Sequence, residues 1–161
     1  MYVLPQSEAA NLIIPRLWIG SAGASKDTNF LKTNGITVVF NCTKDLPFDS
    51  SIRRCYRVPI DDNLQRSELR NLELWSFEIV AKLSVEYKAG NAILVHCHAG
   101  MQRSCAVVAM YLIATHKMSS DDAIAYIRNR RPVAFMPSAN FEPSIKGFER
   151  SLQNALEDQH E

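Results

Sequence analysis

Residues 93–108 read ILVHCHAGMQRSCAVV, and no other stretch narrows the fold as much. Ile93, Leu94 and Val95 run into His96 and Cys97. After Gly100, Arg103 and Ser104, an uninterrupted apolar run fills 105–114. A short continuous apolar run predicts a strand buried on both faces. A longer one with no polar side predicts a helix enclosed all round. A tight loop between two such elements brings unpaired backbone N–H groups and the positive end of the helix dipole together, which makes an anion site. Gly100 permits the tight path. Cys97 lies in that positive field, which favours the thiolate. Arg103, at the far end, presents a planar fork of donors suited to two oxygens of a tetrahedral oxyanion. Phosphate fits this cradle better than a carboxylate.

The rest of the chain alternates strands with helices. Residues 12–20 read as a first strand, with Pro15 marking a sheet edge. Residues 24–35 read as a short helix with Ser25 as N-cap and Gly35 as its stop. Residues 36–43 and 54–60 read as strands, the second delivering Asp61, Asp62 and Asn63 to a loop. Leu72, Trp75, Ile79, Val80, Leu83 and Tyr87 recur at helical spacing and predict a helix over 67–87. A serine cap, early acids and late arginines predict a helix over 119–131, which Pro132 ends. A last helix starts near Phe141 with Ile145, Phe148, Leu152 and Leu156 on one stripe. Trp18 and Trp75 read as core. This pattern predicts an α/β fold, a single domain over 1–161 with a central, mostly parallel sheet flanked by helices.

Composition removes several classes of function. The net charge of +1, with no block of one sign, argues against nucleic acid or an anionic membrane as partner. The run over 105–114 is too short to span a bilayer, and the first residues lack a signal-peptide pattern. Four cysteines without CxxC or zinc spacing predict reduced thiols in a cytoplasmic or similar reducing compartment and no metal. Cys42 and Cys105 read as small core residues, and His98, His116 and His160 as surface or packing residues.

The spacing H-C-x5-R-S from His96 to Ser104 resembles the signature of the cysteine-based protein tyrosine phosphatase superfamily. Its form H-C-x-A-G-x-x-R-S is similar to the small dual-specificity branch. Residues 13–43 resemble that branch's first strand, helix and second strand, and YRVPIDDN (56–63) resembles its acid loop. The resemblance implies a protein tyrosine phosphatase-like fold and a cofactor-free phosphatase acting on phosphorylated protein side chains through a phosphocysteine. Cys97 would be the nucleophile. Arg103 and the N–H groups of the loop (His98, Ala99, Gly100, Met101, Gln102) would hold the phosphoryl oxygens. Ser104 resembles the hydroxyl that helps the sulfur leave, and His96 the histidine that braces the loop.

Two carboxylates compete for the general acid. Neighbours in extended chain face opposite sides, so one of them serves. The family's acid lies two positions after the last residue of the apolar-Pro-apolar step, which selects Asp62 over Asp61. Arg131 matches a position that lines the pocket rim in some relatives. Gln102 departs from the small residue usual before the arginine. Its side chain is expected along the loop's outer face, the alternative being an amide that reaches the incoming water. The segment 132–141 is longer than the usual connection. Relatives on this scaffold also hydrolyse phosphoinositides or RNA 5′-triphosphates, but lipid-acting members carry lysines in the loop, and 98–102 has none. Non-catalytic relatives lack the cysteine, arginine or acid, and all three are here. No tyrosine-recognition loop precedes the first strand and the connections at 20–25 and 44–51 are short, so the pocket is expected to be shallow enough for phosphotyrosine, phosphoserine and phosphothreonine alike.

Overall fold

In the computed structural model, which describes residues 9–159, five strands form one sheet. They are β1 (Ala10–Ile14), β2 (Leu17–Gly20), β3 (Ile36–Asn41), β4 (Arg54–Arg57) and β5 (Ala92–His96), in the order β1-β2-β5-β3-β4. β1 runs antiparallel to β2 and all other pairings are parallel, which puts β5 at the centre. The helices are α1 (Ala22–Lys26), α2 (Thr28–Thr33), α3 (Arg66–Lys88), α4 (Arg103–His116), α5 (Ser120–Arg130) and α6 (Glu142–Asp158).

The period-two alternation of strands sorts the core into two layers. Leu17, Ile19, Val38, Phe40, Ile93 and Val95 join the large core built with α3 to α6. Leu94 and Val39 join a smaller cluster with Leu31, against which Trp18 and Phe30 pack. In α4, 11 of 14 residues are buried, and the helix packs against α3, α5 and α6. Each fully buried Val, Leu or Ile of this kind contributes about 1.5–3 kcal/mol.

Several boundaries differ from the sequence expectation. Residues 12–20 form a hairpin rather than one strand, because Arg16 turns the chain at φ 69° directly after Pro15. A left-handed conformation costs a non-glycine residue about 1–2 kcal/mol. Tertiary contacts offset it: Arg16 Nη1 donates to the carbonyls of Tyr87 and Asn91, both at 2.9 Å, and its guanidinium lies 4.1 Å from the centre of the Tyr87 ring. The Tyr87 hydroxyl in turn donates to Pro15 O at 2.7 Å.

Residues 24–35 divide into α1 and α2. Ser21 and Asp27 are the caps, whereas Ser25 is buried inside α1 and donates to Ala22 O at 2.7 Å. Gly35, at φ 63°, does end the second helix. β4 stops at Arg57, yet Val58 and Ile60 remain buried and carry the chain onward to Asp61. Trp18 and Trp75 are only half-buried. Trp18 meets Phe30 edge-on at 5.2 Å, and Trp75 lines a cavity of about 390 Å³ between β4 and α3. His160 and the first eight residues lie outside the described range.

Candidate active site

The central strand β5 delivers His96 and then Cys97 to the C-terminal edge of the sheet, where ligands bind in open α/β folds. The chain reaches α4 through a loop in which the carbonyls of residues 98–101 are taken from outside. Ala22 N–H donates to His98 O at 2.9 Å and Phe135 N–H to Met101 O at 2.6 Å. Arg131 Nε donates to Gly100 O at 2.7 Å, and its Nη2 lies 3.3 Å from Ala99 O. With four successive carbonyls turned outward, the planar peptides turn their N–H groups inward. Among the described residues, no acceptor takes the N–H groups of 98–102. This is a concave nest for an anion. Gly100 adopts φ +69°, and a Cβ there would stand 2.6 Å from Gly20 O and 2.7 Å from Arg131 Nη2.

Cys97 is 2% exposed, and its Sγ lies 3.2 Å from Ser104 Oγ. Arg103 Nη1 donates to Ile60 O at 2.9 Å, while its buried Nε has no protein partner among the described residues. A buried, unpaired guanidinium N–H is costly unless an anion takes it. Cys42 and Cys105 are fully buried, and that burial holds both thiols well above the ordinary range, so they stay protonated at neutral pH.

His96 is buried, with Nδ1 3.3 Å from the carbonyl of Cys97. A carbonyl only accepts, so that contact is a hydrogen bond when Nδ1 carries the proton. Burial pushes the imidazole pKa down to about 4, the hydrogen bond to Cys97 O opposing it and the nearby cations Arg57 and Arg103 adding to it. At neutral pH His96 therefore has no second proton to give. In an unfolded chain a histidine protonates near pH 6.5, so protons favour the unfolded state in the window from 6.5 down to 4. Stability is full above that window and falls as the pH drops through it, by about 2–3 kcal/mol between pH 7 and pH 4.5. Urea unfolding at the two pH values should show His96→Asn losing less than the wild type; parallel losses would remove His96 as the cause.

On the neighbouring loop, Asp61 and Asp62 part company. Asp61 Oδ2 lies 3.1 Å from Lys44 Nζ, and the Asp61 N–H donates to Glu68 Oε2 at 3.1 Å. Glu68 Oε1 also holds Lys44, at 2.6 Å. Asp62 has a different partner: its Oδ1 accepts from Asn140 Nδ2 at 3.0 Å.

Two residues differ from their expected places. Arg131 is not at a pocket rim. It is 1% exposed, lies behind the loop and also donates to Asn11 Oδ1 at 2.7 Å, because loop carbonyls turned away from the anion need a buried donor. Gln102 is on the loop's far side as expected, yet it is buried rather than lying on the surface. Its Nε2 donates to Met136 O at 3.1 Å and Ser138 O at 2.8 Å, and its Oε1 accepts from Asn140 N–H at 2.9 Å. Both amide N–H groups and one acceptor site of the oxygen are thus given to the segment 136–140, so the side chain is turned toward that segment. Asn140 itself was legible only as part of a long connection. Ala99 and His98 are exposed, with His98 Nε2 3.3 Å from Asp45 Oδ1.

Residues 17–151 match the family described as dual specificity phosphatase, catalytic domain. Human dual specificity protein phosphatase 8 is 34% identical over 143 residues, which are 88% of this chain and 22% of that protein. Dual specificity protein phosphatase 1 of Arabidopsis thaliana is 32% identical over 146 residues, 89% of this chain and 70% of the other. The crystal structure of human DUSP28 is similar with a TM-score of 0.79 at 29% identity, covering 94% of this chain and 97% of that one. The chain thus spans only about a fifth of the human and mouse phosphatase 8 proteins it matches. Because the family match runs from β2 into α6 and takes in both the anion loop and the carboxylates beside it, the chain belongs to the dual specificity phosphatase family.

Proposed function

We propose that this chain is a cofactor-free protein phosphatase that hydrolyses phosphotyrosine and phosphoserine or phosphothreonine through a phosphocysteine. The observation that carries the reading is the loop itself: inward N–H groups, an unpaired Arg103 Nε and the Cys97 sulfur share one end of the central strand. In the first step the Cys97 thiolate attacks phosphorus, the P–O bond to the side chain breaks, and Asp62 gives its proton to the departing oxygen. The loop amides and Arg103 hold the equatorial oxygens as charge spreads over them. In the second step water attacks phosphorus, Asp62 takes a proton from it, and the P–S bond breaks. The Ser104 hydroxyl, 3.2 Å from the sulfur, stabilises the thiolate that leaves. His96 and Arg131 support the loop from behind. The partner is a phosphorylated protein, and a reducing compartment suits a nucleophilic thiol. No helix among the described residues is long and apolar enough to cross a membrane.

The breadth of substrate rests on depth. Phosphotyrosine holds phosphorus a ring's length from the backbone, and phosphothreonine holds it close. α1 starts at Ala22, directly after β2, so this connection adds little wall to the site. Phosphotyrosine and phosphothreonine versions of one peptide should both be cleaved when their kcat/KM values are compared. Complete rejection of phosphothreonine would refute the shallow site and leave the Cys97 chemistry standing.

A further inference from the structure

We propose that Asn140 is the positioning residue of the general acid: its side-chain amide holds one oxygen of Asp62 so that the other presents the proton to the leaving group. This rests on the phosphatase reading above and adds a residue to it. Asp62 is exposed on an irregular loop, where a carboxyl would otherwise turn freely. The bond from Asn140 Nδ2 to Oδ1, 3.0 Å long, restricts that rotation. An amide N–H can only donate, so Oδ1 serves as acceptor and Oδ2 is the oxygen left to carry the proton.

Asn140 is itself fixed. Its backbone N–H donates to Gln102 Oε1, and Gln102 Nε2 holds the carbonyls of Met136 and Ser138. Gln102 precedes Arg103, whose Nη1 holds the carbonyl of Ile60, two residues before Asp62. The contacts close a ring: Asp62, Asn140, Gln102, Arg103 and Ile60. The acid is therefore placed relative to the anion loop from two sides, and the large residue before Arg103 supplies one of the links. Misplacement of a reacting group by an ångström is enough to cost much of its effect.

The test separates positioning from mere support by varying the leaving group. Asn140→Ala should lower kcat/KM for phenyl phosphate about tenfold, a fraction of the 10²–10⁴ that a positioned acid contributes. The loss should shrink steadily along a series of aryl phosphates with better leaving groups, which need less protonation. It should also be non-additive with Asp62→Asn. A loss equal for every leaving group, or fully additive with Asp62→Asn, would overturn the proposal.

Asn140→Asp keeps the shape and guards against misfolding. It sets a second carboxylate against Asp62, and like charges disfavour ionisation, so the basic limb of the kcat/KM profile should move up by about one pH unit. The other charges around the acid loop are Asp61, Glu68 and Lys44, which pair among themselves, Arg103 through Ile60 O, and Glu142, Lys146 and Arg150, which line a cavity with Asn140 and Leu64; the substitution replaces none of them. An unmoved limb would count against the proposal. Turnover retained by Cys97→Ser would instead strike at the phosphatase reading itself, so the two failures are distinguishable.

Discussion

Cys97→Ser should lower turnover of a small aryl phosphate on the order of 10⁵-fold or more, the scale seen when a catalytic nucleophile is removed. Oxyanion binding should survive. A hydroxyl is almost wholly protonated at neutral pH and is then a far weaker nucleophile than a thiolate, while the inward amides and Arg103 remain as they were. Hydrolysis and the affinity for tungstate, measured on the same preparation, check both halves. Appreciable turnover by the variant would sink the covalent mechanism; loss of tungstate binding would show that the cradle depends on the sulfur.

Asp62→Asn should lower kcat by about 10²-fold or more and flatten the basic limb of the pH profile, because the amide occupies the same space without a proton to give. Its remaining oxygen still accepts from Asn140, so the loop need not move. Asp61→Asn should do much less, since that carboxylate is spent on Lys44. Steady-state rates of the two variants across pH decide the assignment. If the effects come out reversed, the acid is one residue earlier than the motif indicates.

What the sequence made legible was local. Strand, cysteine, glycine, arginine and helix follow one another within residues 93–108, so the anion site could be argued without knowing what surrounds it. The choice of Asp62 rested on a motif, and the structure gives the two carboxylates different partners. What stayed hidden was long-range. Arg16 turns a hairpin without glycine or asparagine, and its partners lie 71 and 75 residues away. Arg131 looks, in sequence, like one more cation at a helix end, and only the fold brings it under a loop 31 residues earlier. Gln102 and Asn140 are 38 positions apart, so nothing local announces that one holds the other.

The enclosure of α4 and the central place of β5 have a consequence for how the molecule fluctuates. Local opening of a protein is cheapest where contacts are few and dearest in its most enclosed elements. Cys97 and Arg103 sit where two heavily buried elements meet, so moving them apart is a costly excursion. Asp62 is exposed and can lift away on a far smaller excursion. The nucleophile and the acid therefore have separate lifetimes: the proton-donating arrangement is lost and regained at lower cost than the cradle that seats an oxyanion.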